Sequence, residues 1–210
     1  MSFSSIKGQE GPIEYLKSCL RQDRIAKAYI FMGPEGVGKN LVAGEFARAI
    51  ECLTKEDDAC DSCESCRKIE KGNHPDIHTI DFGDEEIKVE FIRQLQREIS
   101  FKAYEGKKKV FIIRNCHNLN PTSASAFLKT LEEPSGDSVI ILITEKPAYV
   151  LRTILSRCQA VKFSPLPRQA LEEILKKEYQ LDADSAHFLS FFSEGRLGNA
   201  LKLKDTNFIK

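Results

Sequence analysis

The stretch Tyr29-Ile30-Phe31-Met32-Gly33-Pro34-Glu35-Gly36-Val37-Gly38-Lys39-Asn40 runs from a short apolar segment into a glycine-rich loop. After it, Leu41, Val42, Phe46, Ala47 and Ile50 recur at helical spacing. A buried strand, a glycine loop and a helix in that order form the context in which G-x-x-x-x-G-K-[ST] binds phosphate. Backbone N–H groups wrap the phosphates, the lysine reaches the outer oxygens, and the hydroxyl ligates Mg²⁺. Gly33 to Lys39 fit that pattern, but Asn40 puts a carboxamide where the hydroxyl belongs. The cradle is kept while one part of the hydrolytic machinery is lost.

Outward from this stretch, strand and helix signals alternate. Ile77-His78-Thr79-Ile80 reads as a second strand, and Val89, Ile92, Leu95, Gln96 and Ile99 mark a helix. Lys109-Val110-Phe111-Ile112-Ile113 is a third, strongly apolar strand. Asn120-Pro121 has the residue types of a helix cap and first turn, opening a helix that runs through Phe127, Leu128 and Leu131 to Glu133, with Pro134 as its stop. Val139 to Ile143 is a fourth strand. The fold class expected is α/β, a parallel sheet with helices on both faces. Ser164-Pro165-Leu166-Pro167 ends the alternation. Beyond it only helices are predicted, over 168–178, 183–192 and 197–203, so residues 1–163 read as the core and 164–210 as a small all-helical domain leaning on it.

For hydrolysis, the third strand should deliver carboxylates that hold Mg²⁺ and orient water. This chain offers Arg114 and Asn115 instead, and the candidate carboxylates, Glu132 and Glu133, sit on the following helix, which is the wrong place. A guanidinium facing a divalent ion is repelled by several kcal/mol even at a generous dielectric. Two roles remain open for Arg114: a counter-charge replacing the metal, or a side chain turned to solvent or paired with a nearby Glu.

Cys52, Cys60, Cys63 and Cys66 lie within one short hydrophilic insertion. With no apolar leader at Met1–Lys7 and no apolar run of the roughly 20 residues that span a bilayer, the compartment expected is the reducing cytoplasm, where four close thiols point to a closed structural zinc site. An iron–sulfur cluster is the rival, weakened by Glu70 standing where a fourth cysteine of a ferredoxin run would fall. The other cysteines, Cys19, Cys116 and Cys158, are isolated and read as small buried residues. With 31 basic and 31 acidic residues, the chain lacks the surplus for adhesion to nucleic acid, and its cysteine insertion is itself acid-rich.

Together, Gly8-Gln9, the Gly33–Asn40 loop, the four cysteines, Gly72-Asn73-His74-Pro75-Asp76, Asn120-Pro121, Leu128-Lys129-Thr130-Leu131-Glu132-Glu133-Pro134, Ser156-Arg157-Cys158 and Gly195-Arg196-Leu197-Gly198-Asn199-Ala200 form an ordered set spanning essentially all 210 residues. The chain resembles the delta-prime subunits of the bacterial DNA polymerase III clamp loader, which are AAA+ proteins. The resemblance implies an AAA+ P-loop core with a zinc insertion at Cys52–Cys66, followed by a helical lid. It makes Arg157 an arginine finger reaching the ATP site of a neighbouring subunit, Thr144 the first sensor, Arg196 the second, and Cys52, Cys60, Cys63 and Cys66 the zinc ligands. Nucleotide, as ATP or ADP without hydrolysis, would sit on Gly33, Pro34, Glu35, Gly36, Val37, Gly38, Lys39 and Asn40. The implied partners are gamma/tau and delta subunits, with sliding clamp and primed DNA in the assembled complex and no membrane. The family's motor, gamma/tau, keeps the acids and the hydroxyl that this chain replaces at Arg114, Asn115 and Asn40, which favours a non-hydrolysing role over an active ATPase motor or a zinc-based nucleic-acid module. Family members also carry a helical collar domain, so ending at Lys210 reads as a fragment, monomeric when isolated.

Overall fold

The computed structural model describes residues 2–133 and 136–206. Its strands are β1 (Ala28–Met32), β2 (Ile77–Ile80), β3 (Lys109–Ile113), β4 (Ser138–Thr144) and β5 (Gln159–Lys162). They form one sheet in the order β2-β3-β4-β1-β5, with every neighbouring pair parallel. The helices are α1 (Glu10–Arg21), α2 (Lys39–Glu51), α3 (Glu64–Glu70), α4 (Val89–Ser100), α5 (Pro121–Glu132), α6 (Arg152–Leu155), α7 (Arg168–Tyr179), α8 (Ala183–Phe192) and α9 (Leu197–Asp205).

Successive side chains of a strand leave opposite faces, and the two cores follow that alternation. Tyr29, Phe31, Val110, Ile112, Ile141 and Ile143 join α1 and α2 on one face. Ala28, Ile30, Phe111, Ile113, Ile140 and Leu142 join α4, α5 and α6 on the other. Every residue of β3 and β4 is buried, which is why both read as unbroken apolar runs. The edge strands β2 and β5 are only partly covered, and β5 was not among the predicted strands.

Asn120 caps α5 as predicted, its side-chain oxygen accepting the Ser123 N–H at 2.7 Å with Pro121 in the first turn. Pro134, the predicted stop, lies outside the described residues. The terminal helices match their predicted spans to within two residues. They share an apolar cluster of Leu171, Leu175, Ala186, Leu189 and Ala200. Leu166 N–H donates to Gly195 O at 2.8 Å, and the Gln9 side chain reaches Ser164 O at 2.8 Å. Among the described residues no helix is long and apolar enough to cross a membrane.

Candidate functional site

Because the strands are parallel, their C-terminal ends share one rim, where ligands of open α/β sheets bind. The glycine loop leaves β1 there, and Gly38 at φ +100° caps α2 in a conformation that side-chain-bearing residues rarely adopt. A cavity of about 520 Å³ opens at this rim, lined by Glu35 through Asn40 of the loop. Lys39 is buried, and its Nζ donates to the Gly33 carbonyl at 2.7 Å and the Pro34 carbonyl at 2.5 Å. Burial lowers its pKa, opposed by the negative charges of Glu145 and Glu35. Gly33 and Pro34 thus serve the lysine rather than line the cavity. Asn40 lines it with an exposed side chain.

At the end of β3, Arg114 and Asn115 both line the cavity, and both bind one carboxylate. Arg114 Nη1 lies 3.2 Å from Asp81 Oδ2, and Asn115 Nδ2 donates to Asp81 Oδ1 at 3.1 Å and to Gly83 O at 3.0 Å. The Gly83 N–H and the Arg114 guanidinium hold the Asp81 carboxyl below its ordinary pKa. Of the two roles left open for Arg114, pairing with a carboxylate is observed, but the partner is Asp81, just after β2, and not a Glu. The sequence reading of the acids needs correction here. Glu132 and Glu133 do not line the cavity, whereas Asp81, Asp84 and Glu145 do. Strand register was the missing signal: β2 and β4 flank β3, so the residues after Ile80 and Thr144 must reach the same rim.

Thr144 and Arg196, the residues expected as sensors, are near the loop but do not line the cavity. Thr144 is buried at the end of β4, where its carbonyl accepts the Gly33 N–H at 3.3 Å. Its hydroxyl engages His117 Nδ1 at 3.1 Å and the Lys146 N–H at 3.0 Å. Arg196 precedes α9 and turns back, donating to Ser193 O at 3.1 Å and Glu194 Oε2 at 2.9 Å. Of the α9 residues that do meet the loop, Gly198 stood in the sequence only as part of the Gly195–Ala200 motif, and Lys202 carried no signal. Gly198 N–H donates to Gly36 O at 2.8 Å, and Lys202 Nζ pairs with Glu35 Oε1 at 2.7 Å. The pairs Gly36–Gly198 and Glu35–Lys202 are too distant in sequence for periodicity to reveal. Arg157 lies outside this cavity, on the turn after α6, partly exposed and ion-paired with Glu132 at the end of α5.

Away from the rim, the four cysteines of the insertion converge, with their sulfurs all within 4.8 Å of one another. Cys60 Sγ and Cys66 Sγ are 4.0 Å apart. A tetrahedral site with metal–sulfur bonds of about 2.3 Å needs sulfurs about 3.8 Å apart, so the donor set fits a four-coordinate metal. Backbone N–H groups of Lys55, Cys63 and Cys66 point at Cys52, Cys60 and Cys63 sulfurs at 3.2–3.4 Å, which suits thiolates. His74 is not part of this cluster. It is buried, with Nδ1 accepting the Asp76 N–H in a turn.

Residues 8–167 match the family described as DNA polymerase III, delta subunit. The DNA polymerase III subunit delta-prime of Bacillus subtilis is 39% identical over 163 residues, covering 78% of this chain and 50% of that protein. The subunit tau of the same organism is 32% identical over 209 residues, covering 97% of this chain and 37% of that protein. The chain therefore spans about half the length of the first relative and little more than a third of the second. In fold, it is similar to a DNA polymerase III gamma subunit-related protein of Thermotoga maritima, with a TM-score of 0.63 at 23% identity over 91% of this chain and 56% of that one. The RuvB Holliday junction branch migration motor of the same organism gives 0.61 at 16% identity, over 94% and 61%. The sheet, the modified phosphate loop and the cysteine cluster thus sit in a chain that belongs to the family of DNA polymerase III delta-prime clamp-loader subunits.

Proposed function

We propose that this chain acts as a non-hydrolysing, stator-like clamp-loader subunit of DNA polymerase III, helping to load the sliding clamp on primed DNA beside gamma/tau and delta subunits. The observation that carries this reading is the rim of β3, where a cation and an amide stand in place of acids and both grip Asp81. Tied to Arg114 and Asn115, that carboxylate is a poor ligand for Mg²⁺. Asn40 adds nothing stronger from the loop. ATP or ADP held by Lys39 and the loop N–H groups would then be a structural ligand, closed over by residues 164–206 acting as a lid. In this role Arg157, outside the chain's own cavity, supplies a guanidinium to the ATP site of the neighbouring subunit and stabilises charge in its transition state. Zinc on Cys52, Cys60, Cys63 and Cys66 would cross-link the insertion, and a closed four-sulfur site offers no open position for catalysis.

The test is ATP turnover in a complex reconstituted from full-length subunits. Replacing Arg157 by Ala should lower turnover on the order of a thousandfold at the site it serves, with the melting temperature of the subunit unchanged. Equal turnover with and without the substitution would sink the role. A second reading, an active ATPase motor, draws support from Asp84 and Glu145, two cavity carboxylates with no strong cationic partner among the described residues. Isolated chain turning over ATP at about 1 s⁻¹ or faster would establish that reading instead.

A further inference from the structure

The exposed end of Arg157 is held in a way that its proposed role does not by itself require. Its Nη1 donates to Thr153 O at 3.0 Å and to Ser156 Oγ at 3.3 Å, both on the α6 turn that carries it. Its Nε donates to Glu132 Oε1, across from α5. Its Nη2 has no partner among the described residues. Nε and Nη1 of a planar, rigid group are therefore both engaged, and Nη2 is the nitrogen left to meet a ligand. The backbone is anchored on both sides, because Glu132 follows the buried Leu131 and Arg157 stands three residues after the buried Ile154, although the two side chains are partly exposed.

Glu132 is also misplaced by local rules. It is the last residue of α5, where the negative end of the helix dipole disfavours a carboxylate, and Glu133 follows it. An acid kept where its own helix opposes it usually serves something outside that helix. The ordinary explanation, a surface ion pair, predicts almost no energetic consequence. The constraint on direction matters more than the attraction. An arginine side chain has four rotatable bonds, and a finger that must meet a phosphoryl group on another chain loses rate when its guanidinium wanders by even 1 Å.

We propose that Glu132 is a positioning residue: it clamps Arg157 Nε so that Nη2 points outward toward the anionic ligand of a neighbouring subunit. This rests on the reading of Arg157 as a donor in trans. The experiment measures kcat and KM for ATP in the complex reconstituted from full-length subunits. Glu132→Ala should lower kcat about tenfold with KM held within about twofold. Glu132→Gln, whose Oε1 still accepts the Nε–H, should recover to within about threefold of the unmodified complex. The double variant Glu132→Ala/Arg157→Ala should be no slower than Arg157→Ala alone, because one residue acts through the other. Glu132→Ala turnover that is unchanged, or faster as for a released latch, overturns the proposal. So does Gln no better than Ala, or a double variant slower than Arg157→Ala. If Arg157→Ala alone leaves turnover intact, the reading beneath it fails. If Arg157→Ala is slow while Glu132→Ala is normal, only the positioning role falls.

Discussion

Asp76 shows how much one side chain can organise. It is fully buried, and its two oxygens accept the N–H groups of Tyr104 at 2.7 Å, Glu105 at 2.9 Å and Gly106 at 2.8 Å. Next to it, Glu51 takes Lys107 at 2.7 Å and Lys108 at 2.8 Å. Five consecutive amides leading into β3 are thus satisfied by two carboxylates, one from the helix that leads to Cys52 and one from the motif ending at Asp76. Burial pushes the Asp76 pKa up, but the three N–H groups outweigh it and hold the carboxyl below its ordinary 3.8. For Glu51 burial wins, and its pKa is raised. The two therefore respond oppositely to acid. The contribution of Asp76 is complete above pH 3.8 and fades as pH falls through its lower folded value, while the burial penalty on Glu51 is relieved as pH falls through its raised one. Asp76→Asn sets an NH₂ group against donors and should cost about 3 kcal/mol at neutral pH, measured by denaturant unfolding. It should also flatten the loss of stability below pH 4 relative to the unmodified chain. A midpoint shift too small to resolve would mean that the loop does not depend on this acid.

At the scale of elements, legibility followed burial and local chemistry. Strands β3 and β4 announce themselves because both faces are covered, and α5 because its cap and first-turn proline are adjacent in sequence. Strand β5 hides because only Val161 of its four residues is buried, which leaves no period to detect. Helix α1, not among the predicted elements, buries Ile13, Leu16, Cys19 and Leu20 at helical spacing and carries Gly11 and Pro12, poor helix formers, in its first turn. Helix α3 is too short for periodicity, with seven residues between Cys63, its cap, and Lys71. Its Cys63 sulfur accepts the Cys66 N–H, so the same thiols that would bind metal also start the helix. Removing the metal with a chelator under reducing conditions should release about one zinc ion per chain and unravel α3. With the sheet intact, a loss of about 3 kcal/mol would lower Tm by roughly 6–12 °C. A chain free of zinc when purified, with Tm indifferent to chelation, would rule out the metal as a staple.

Across the whole molecule, the phosphate loop is also the place where the terminal helices are fastened to the sheet. Gly198 bonds to Gly36, Lys202 pairs with Glu35, and Asn199 lies where any side chain on Gly36 would go. A Cβ built on Gly36 would stand 2.4 Å from Asn199 Oδ1, and the backbone there is at φ +79°. None of this could be read locally, since it joins residues far apart in the chain through contacts that exist only once both units are folded. Elsewhere the attachment rests on the Lys7–Glu178 ion pair and on contacts around Gly8-Gln9 and the segment Ser164–Pro167, so the loop is one of a few clasps. Gly36→Ala should therefore do two things at once. It should cost about 1–2 kcal/mol from the left-handed backbone alone, and it should force Asn199 and the start of α9 off the loop. The Ser164–Pro167 connection would then open more often, and limited proteolysis should cleave it several times faster than in the unmodified chain, releasing the helical segment from a sheet that stays protected. Cleavage at an unchanged rate in a variant known to be folded would show that the clasp lies elsewhere, with the contacts around Gly8 and Leu166 as the next to test.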